Sequence, residues 1–349
     1  MPYADLVLEG GGVKGIALVG AISVLEERGY TFKRIAGTSA GSIVGALVAA
    51  DVPATEMQQI MRDLDYHRFQ DAGPAERLMV GKLVSLPFRS GVYRGDYLRA
   101  WLGELLEQRG KATFASMAYQ DAERSLPEEQ AYRLVVMTSD LSAGVLRRLP
   151  WEYDRYGLDR PKQRVADAVR SSMSIPFFFR PVKLAPQGGP TSWLVDGGML
   201  SNFPIDVFDS AATPRWPTFG IKLSAQPDAA QGQANAITGP ISMLRAMVDT
   251  ATGFYDRMHI ASDDAVDRTI FIDTGSISPI DFGLTDAQRD QLFASGRQAA
   301  IDFLDGRLDE PGRPGRPAWD FDAYIAKHRA GSQPVPGPRT VPTEVGAEQ

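Results

Sequence analysis

Apolar residues come in two rhythms near the start of the chain. Residues 5–9 (DLVLE) form a short apolar run that stops at glycines, the pattern of a buried strand. Residues 14–28 (KGIALVGAISVLEER) place Ile16, Val19, Ile22 and Leu25 on one stripe, and Gly29 closes it, as expected for a helix. A second short strand runs through residues 34–36 into GTSAGS, and residues 42–50 (SIVGALVAA) predict another apolar helix. Strand, helix, strand, helix within about 50 residues predicts an α/β sandwich with a largely parallel sheet.

Residues 54–130 read as mostly helical, most clearly at residues 95–110 (GDYLRAWLGELLEQRG). Residues 132–138 (YRLVVMT) return to strand. Residues 164–173 read as a helix followed by an apolar loop, SIPFFFRPV, and residues 193–195 as a strand ahead of Asp196. Residues 218–223 and 269–272 predict later strands, and residues 241–259 and 285–304 long helices. The composition changes after Gly306, and seven prolines fall within residues 311–349. The expected division is one domain over residues 1–310 and a Pro/Gly-rich arm with a disordered tail over 311–349. Residues 319–328 (WDFDAYIAKH) could dock as a short helix. There is no internal repeat.

Composition narrows the function. Hydrophobic residues make up 44% of the 349 and charged residues 23%, globular proportions that support a sizeable core. A net charge of −6 argues against nucleic-acid binding through bulk charge. With no cysteine, disulfides, thiolate metal sites and cysteine nucleophiles are excluded. No basic n-region precedes a long apolar run, so no Sec signal peptide is expected. No stretch approaches 18 uncharged apolar residues, so no transmembrane helix is expected. The expected setting is the cytoplasm, with any membrane contact peripheral.

The glycines at Gly10, Gly12 and Gly15 spell G-x-G-x-x-G, which in a dinucleotide fold cradles a pyrophosphate. That reading requires a carboxylate at the end of the second strand, where this chain has RIAGTS. A P-loop fails because Ile16 and Ala17, not Lys and Ser/Thr, follow Gly15.

The second strand runs instead into G-x-S-x-G at residues 37–41. Gly37 and Gly41 permit a tight strand-to-helix turn that lifts the Ser39 hydroxyl clear of the backbone. A serine needs a base. His67, His259 and His328, the chain's three histidines, lie in contexts that suggest surface or packing roles. Asp196 is the stronger candidate, at the end of an apolar strand and before two glycines in SWLVDGGMLSNFP. Asp140 reads as an ordinary turn aspartate. Gly10, Gly11 and Gly12 then acquire a use, because backbone N–H groups at a helix start can stabilise an oxyanion. Lys14 would add positive field nearby. No H-E-x-x-H or EF-hand pattern occurs, so neither metal nor cofactor is expected.

Together these stretches resemble the patatin-like phospholipase family. GGGVKG at residues 10–15 is similar to its G-G-G-x-[R/K]-G motif, GTSAG to its nucleophile elbow, and DGG at residues 196–198 to its D-G-[G/A] motif. The order and the short gap between the first two also match, and SSMSIPFFFRPV at residues 171–182 resembles the family's apolar segment upstream of the aspartate. The resemblance covers residues 1–305. It implies a three-layer α/β/α sandwich with a central, mostly parallel sheet. It further implies a lipid acyl hydrolase with Ser39 as nucleophile and Asp196 as base. Gly10, Gly11 and Gly12 would form the oxyanion hole, with Lys14 at the family's basic position.

The expected activity is cleavage of fatty-acyl esters of phospholipids or lysophospholipids. An acyltransferase or transacylase on the same residues is the alternative within enzymes. A non-catalytic lipid-binding regulator is the alternative outside them, and a nucleotide-binding protein the remotest. Residues 79–95 (MVGKLVSLPFRSGVYRG) interleave apolar side chains with Lys82, Arg89 and Arg94, and could rest on an anionic bilayer or cap the site. Phe177, Phe178 and Phe179 either line an acyl pocket or pack in the core. Head group, chain length and oligomeric state leave no mark in the sequence.

Overall fold

Every residue of Leu134–Asp140 and of Thr218–Lys222 is buried, as continuous apolar strands covered on both faces must be. A computed structural model gives the arrangement for residues 2–71, 91–121, 126–185, 189–210, 213–224, 262–279, 281–309 and 315–329. The strands are β1 (Tyr3–Leu8), β2 (Thr31–Thr38), β3 (Gly91–Tyr93), β4 (Leu134–Asp140), β5 (Val145–Leu149), β6 (Phe177–Phe179), β7 (Val182–Leu184), β8 (Ser192–Asp196), β9 (Thr218–Lys222) and β10 (Thr269–Phe271). The helices are α1 (Gly15–Glu27), α2 (Ala40–Ala49), α3 (Ala54–Asp63), α4 (Asp96–Gln108), α5 (Val165–Ser172), α6 (Asp263–Asp267), α7 (Asp286–Asp305) and α8 (Phe321–His328).

Strands β10, β9, β1, β2 and β4 lie side by side, and every neighbouring pair among them is parallel. Strands β5 and β8 add to β4 antiparallel, and β7 adds antiparallel to β8. The fold is therefore α/β with a mostly parallel central sheet.

The register at β4 matters most. Val136 pairs with Gly37 of β2 and with Leu149 of β5, so β2 and β5 occupy opposite edges of β4. Thr138 pairs with Arg147 of β5 and with Asp196 of β8, so β8 lies on the same edge as β2. The ladder with β2 ends at Thr38 opposite Met137, and Asp196 at the end of β8 pairs with the next residue, Thr138. Two strands of opposite direction thus run toward each other along one edge, and their last residues meet.

Helices α1, α2 and α7 cover one face. Gly45 of α2 packs over Ile35, Leu134 and Leu8. Helix α1 is buried from Gly15 to Leu25 and meets α7 backbone to backbone. A Cβ on Gly20 would lie 2.2 Å from Phe293 O, and one on Gly296 would lie 2.0 Å from Ala17 O. A capping box of Thr285 and Gln288 starts α7. On the other face the segment after β8 packs Phe203 and Ile205 against Gly220, where a Cβ would sit 2.4 Å from Phe203 Cζ. Helix α8 docks as anticipated. Trp319 just before it stacks on Phe303, and Lys327 and His328 bind Asp267.

The stretch SIPFFFRPV, expected to be a loop, contains strand β6 and the first residue of β7. Strand β6 pairs with β3 in a separate two-stranded sheet, and β7 forms an edge of the main sheet. Three residues are too few to display a period. The predicted helix over residues 241–259 lies outside the described residues, as do Lys82, Arg89, His259 and the chain beyond residue 329.

The glycine contact between α1 and α7 admits no side chain. Gly296→Ala is expected to cost about 1–3 kcal/mol through overpacking, read as a lower urea midpoint. A midpoint within error of the parent would show that the helices separate without penalty.

Candidate active site

Strand β2 ends at Thr38 and α2 begins at Ala40, so the whole reversal falls on Ser39. Its backbone has φ 51° and ψ −125°, a conformation that L residues rarely adopt and that persists only when neighbours enforce it. The neighbours are two glycines. A Cβ on Gly37 would lie 2.3 Å from Gly41 O, and one on Gly41 would lie 2.3 Å from Leu8 O and 2.6 Å from Glu9 O. The turn closes only because both positions lack side chains. Ser172 Oγ accepts the Ser39 N–H at 2.9 Å, and Ser42 Oγ donates to Ser39 O at 2.6 Å.

Asp196 arrives from the opposite direction at the end of β8. Its N–H donates to Ser174 O, and its Oδ1 accepts the Gly198 N–H at 2.8 Å. The Ser39 hydroxyl neighbours the Asp196 carboxyl and favours its charged form, while its one hydrogen bond among the described residues goes to Met173 Sδ at 3.5 Å. Asp196 is buried, and no ion pair engages it among the described residues. Burial pushes its pKa up to about 7, against the Ser39 hydroxyl and the Gly198 N–H, which favour the carboxylate.

The glycine loop lies against the serine. A Cβ on Gly10 would come within 3.0 Å of Ser39 Cβ and 2.3 Å of Asn202 Oδ1. Asn202 clamps this loop. Its carbonyl accepts the Gly10 N–H at 3.2 Å, and its Nδ2 donates to Gly10 O at 2.9 Å. The expectation of three glycine donors needs correction here, because the Gly10 N–H is already committed. The N–H groups of Gly11 and Gly12 have no acceptor among the described residues. Gly12 has φ +57°, and a Cβ there would overlap Pro279 O at 1.8 Å. Pro279 O accepts the Val13 N–H at 3.0 Å and so fixes the far side of the loop. Beneath the loop, buried Glu9 pairs with Lys222 Nζ and accepts the Leu223 N–H.

Lys14 is engaged with the segment that follows β10. Its Nζ donates to Thr274 Oγ1 at 2.9 Å, while burial lowers its pKa against the opposing pull of Glu9 and Asp273. Asp140 is a buried turn carboxylate that accepts from Ser142 N, Ala143 N and Tyr156 Oη. His67 begins no contact with Ser39 or Asp196, and His328 is bound to Asp267. No three acidic or histidine side chains cluster as metal ligands among the described residues.

Beside the serine turn runs an apolar crevice lined by Gly12, Ala40, Met61, Phe69, Met173 and Phe179. The three phenylalanines diverge. Phe179 is buried in this wall, Phe178 stacks on Phe282 at its rim, and Phe177 is 51% exposed. Ser172, Met173 and Asn202 were not singled out from the sequence. Asn202 follows the DGG stretch by four residues, but a lone asparagine in a polar loop carries no sign of a clamp.

No described helix is long and apolar enough to cross a membrane. The sequence profile of a family described as "Patatin-like phospholipase" matches residues 6–209. The chain is 36% identical over 306 residues to the uncharacterized protein YqhO of Bacillus subtilis, covering 86% of this chain and 98% of that one. It is 41% identical over 206 residues to mouse patatin-like phospholipase domain-containing protein 6, covering 58% of this chain and 12% of that protein. In structure it is similar to VipD from Legionella pneumophila, with a TM-score of 0.55 at 17% identity. That match covers 86% of this chain and 66% of VipD, and it speaks to the fold alone. With a family match spanning the serine turn and the aspartate, and a relative alike over nearly its whole length, the chain belongs to the patatin-like phospholipase family.

Proposed function

We propose that the protein is a serine acyl hydrolase that cleaves fatty-acyl esters of phospholipids or lysophospholipids with Ser39 and Asp196 as a dyad. The observation that carries this reading is a strained serine and a buried carboxyl brought side by side where the ends of β2 and β8 meet on β4. Family membership supports lipid hydrolysis in general, and the rest follows from the chemistry of the site.

The crevice bounded by Met173 and Phe179 has only about 10 Å³ of open volume, so these side chains must part for an acyl chain to lie there with its ester carbonyl over Ser39. Asp196 takes the serine proton as Oγ attacks, and the carbonyl oxygen gains negative charge. The N–H groups of Gly11 and Gly12 receive that charge, each donor contributing about 2–4 kcal/mol in comparable sites. Asp196 then delivers the proton to the leaving alcohol, which leaves an acyl-serine. Water deprotonated by Asp196 attacks the acyl-serine, the fatty acid departs, and the proton returns to Ser39. A base with pKa near the working pH suits both transfers.

Fatty-acid release from mixed phospholipid vesicles tests the dyad. Ser39→Ala and Asp196→Asn, each folded, are expected to lose about a thousandfold or more. A fluorophosphonate should label the parent at Ser39 and leave Ser39→Ala unlabelled. Equal release by all three proteins would sink the assignment.

The raised pKa gives two pH expectations. The reactive form is the carboxylate, so kcat/KM should climb with pH and level off above about 7. A limb at pH 4 instead would remove burial as the controlling effect. Stability runs the other way. The folded state holds the Asp196 proton more tightly than the unfolded state, whose pKa is near 3.8. The favourable contribution from the protonated form is full below that value and lost as pH rises through about 7. Asp196→Asn should therefore raise the melting temperature at pH 8, with the gain shrinking toward pH 4. A lower melting temperature at pH 8 would contradict this.

A further inference from the structure

A cleft of about 560 Å³ opens between the start of α4, the outer face of α5 and edge strand β7. Leu194 lines it, two residues before Asp196 and on the same face of β8, so the cleft lies along the sheet from the serine crevice. Five cationic side chains line it: Arg94, Arg99, Arg170, Arg180 and Lys183. Two carboxylates, Asp96 and Asp167, oppose them, and Asp167 is bound to Arg99.

Arg170 gives the cleft its character. Its guanidinium is buried, and its hydrogen bonds go to neutral oxygens: Ser174 Oγ at 2.5 Å, Arg180 O at 2.9 Å and Arg94 O at 3.1 Å. Gly95 has φ 70° and leaves room for this packing, since a Cβ would lie 2.1 Å from Arg170 Nε and displace the guanidinium. Burial pushes the Arg170 pKa down to about 10. Asp71 and Asp96 support its charge and Arg99 opposes it. A buried cation whose hydrogen bonds end on neutral groups keeps a field that low-dielectric walls focus into the opening. By gripping the carbonyls of Arg94 and Arg180, Arg170 also fixes the backbone that carries two further guanidinium groups. Lys183 is exposed on β7, 4.0 Å from the Trp193 ring centroid, with no carboxylate within 4.0 Å among the described residues.

We propose that this cleft is a second ligand site, separate from the serine crevice, that binds a phosphate group carried on a small polar body. Planar guanidinium forks and a lysine suit a tetrahedral, multiply charged oxyanion better than a single carboxylate. The volume exceeds what a bare phosphate fills and falls in the range of small-molecule pockets. The phosphate could come from a soluble phosphoester or from an anionic lipid head group. In the lipid form the site would hold the bilayer surface beside the crevice, and that form rests on the acyl-hydrolase reading.

The test uses the full chain carrying Ser39→Ala, so that binding is read without turnover. Glycerol 3-phosphate is titrated by calorimetry. Phosphatidylcholine vesicles with and without phosphatidic acid are used for co-sedimentation. Arg94→Glu with Lys183→Glu, both on exposed side chains, is the challenge variant, and its circular dichroism spectrum checks folding. Expected is binding of glycerol 3-phosphate that weakens about tenfold or more in the variant and weakens with salt. Phosphatidic acid should also pull the protein onto vesicles. Binding of the soluble ester without vesicle capture supports the site and assigns it a soluble ligand. Capture without soluble binding, lost in the variant, assigns it a lipid. No binding of either probe, or binding unchanged in the folded variant, overturns the proposal. Hydrolysis of a short soluble ester by the parent chain reports separately on the dyad, so failure of one reading is not failure of the other.

Discussion

The direction of two strands along one edge of β4 is the constraint on which the site depends. Strand β2 comes parallel to β4 and β8 antiparallel, and their ends meet at Met137 and Thr138. Backbone pairing fixes that meeting before any side chain contributes. Because strand side chains alternate, a one-residue slip of β8 would turn Asp196 to the opposite face and bring a valine or a glycine in its place. The Thr138 hydroxyl, which donates to Val195 O at 2.7 Å, and the Asp196 N–H bond to Ser174 O hold the register on both sides.

The site is costly to fold. Ser39 sits in a rare backbone conformation, and among the described residues Asp196 is buried with no ion pair and the N–H groups of Gly11 and Gly12 have no acceptor. The strained serine opposes folding by about 1–3 kcal/mol, and burial of a carboxyl without an ion pair adds to that cost. The surrounding structure must over-determine them, and it does so with bonds that come from far along the chain: Asn202 on Gly10, Lys222 on Glu9 beneath the loop, and Ser172 behind the serine. On the proposed reading, strain and desolvation are located where chemistry is to occur.

Motifs that depend on local geometry were legible in the sequence. Gly37 and Gly41 announce a turn because no other residue fits there, and the apolar runs of β1, β4 and β9 announce a covered sheet. The class and the mostly parallel sheet followed from alternation of strand and helix. Features made by long-range pairing were not legible. Strands β3, β6 and β7 have three residues each and no readable period, and β5 (VLRRL) looks like a polar turn. The commitment of Gly10 to Asn202 joins positions 192 residues apart, and Lys14 is drawn toward Thr274, 260 residues away. The basic cleft is equally hidden, because its cations come from three separate segments that only the fold assembles.

The anchoring of the glycine loop also has a meaning in the order of synthesis. Ser39 emerges early and Asp196 follows, but Pro279, whose carbonyl closes the turn at Gly12, lies some 80 residues beyond the aspartate. A growing chain therefore acquires its serine and its carboxyl well before the donors that the proposed chemistry requires are held in place. On that reading the half-made protein is a poor esterase, and the last part of the domain to be translated also serves as a delay on its activity.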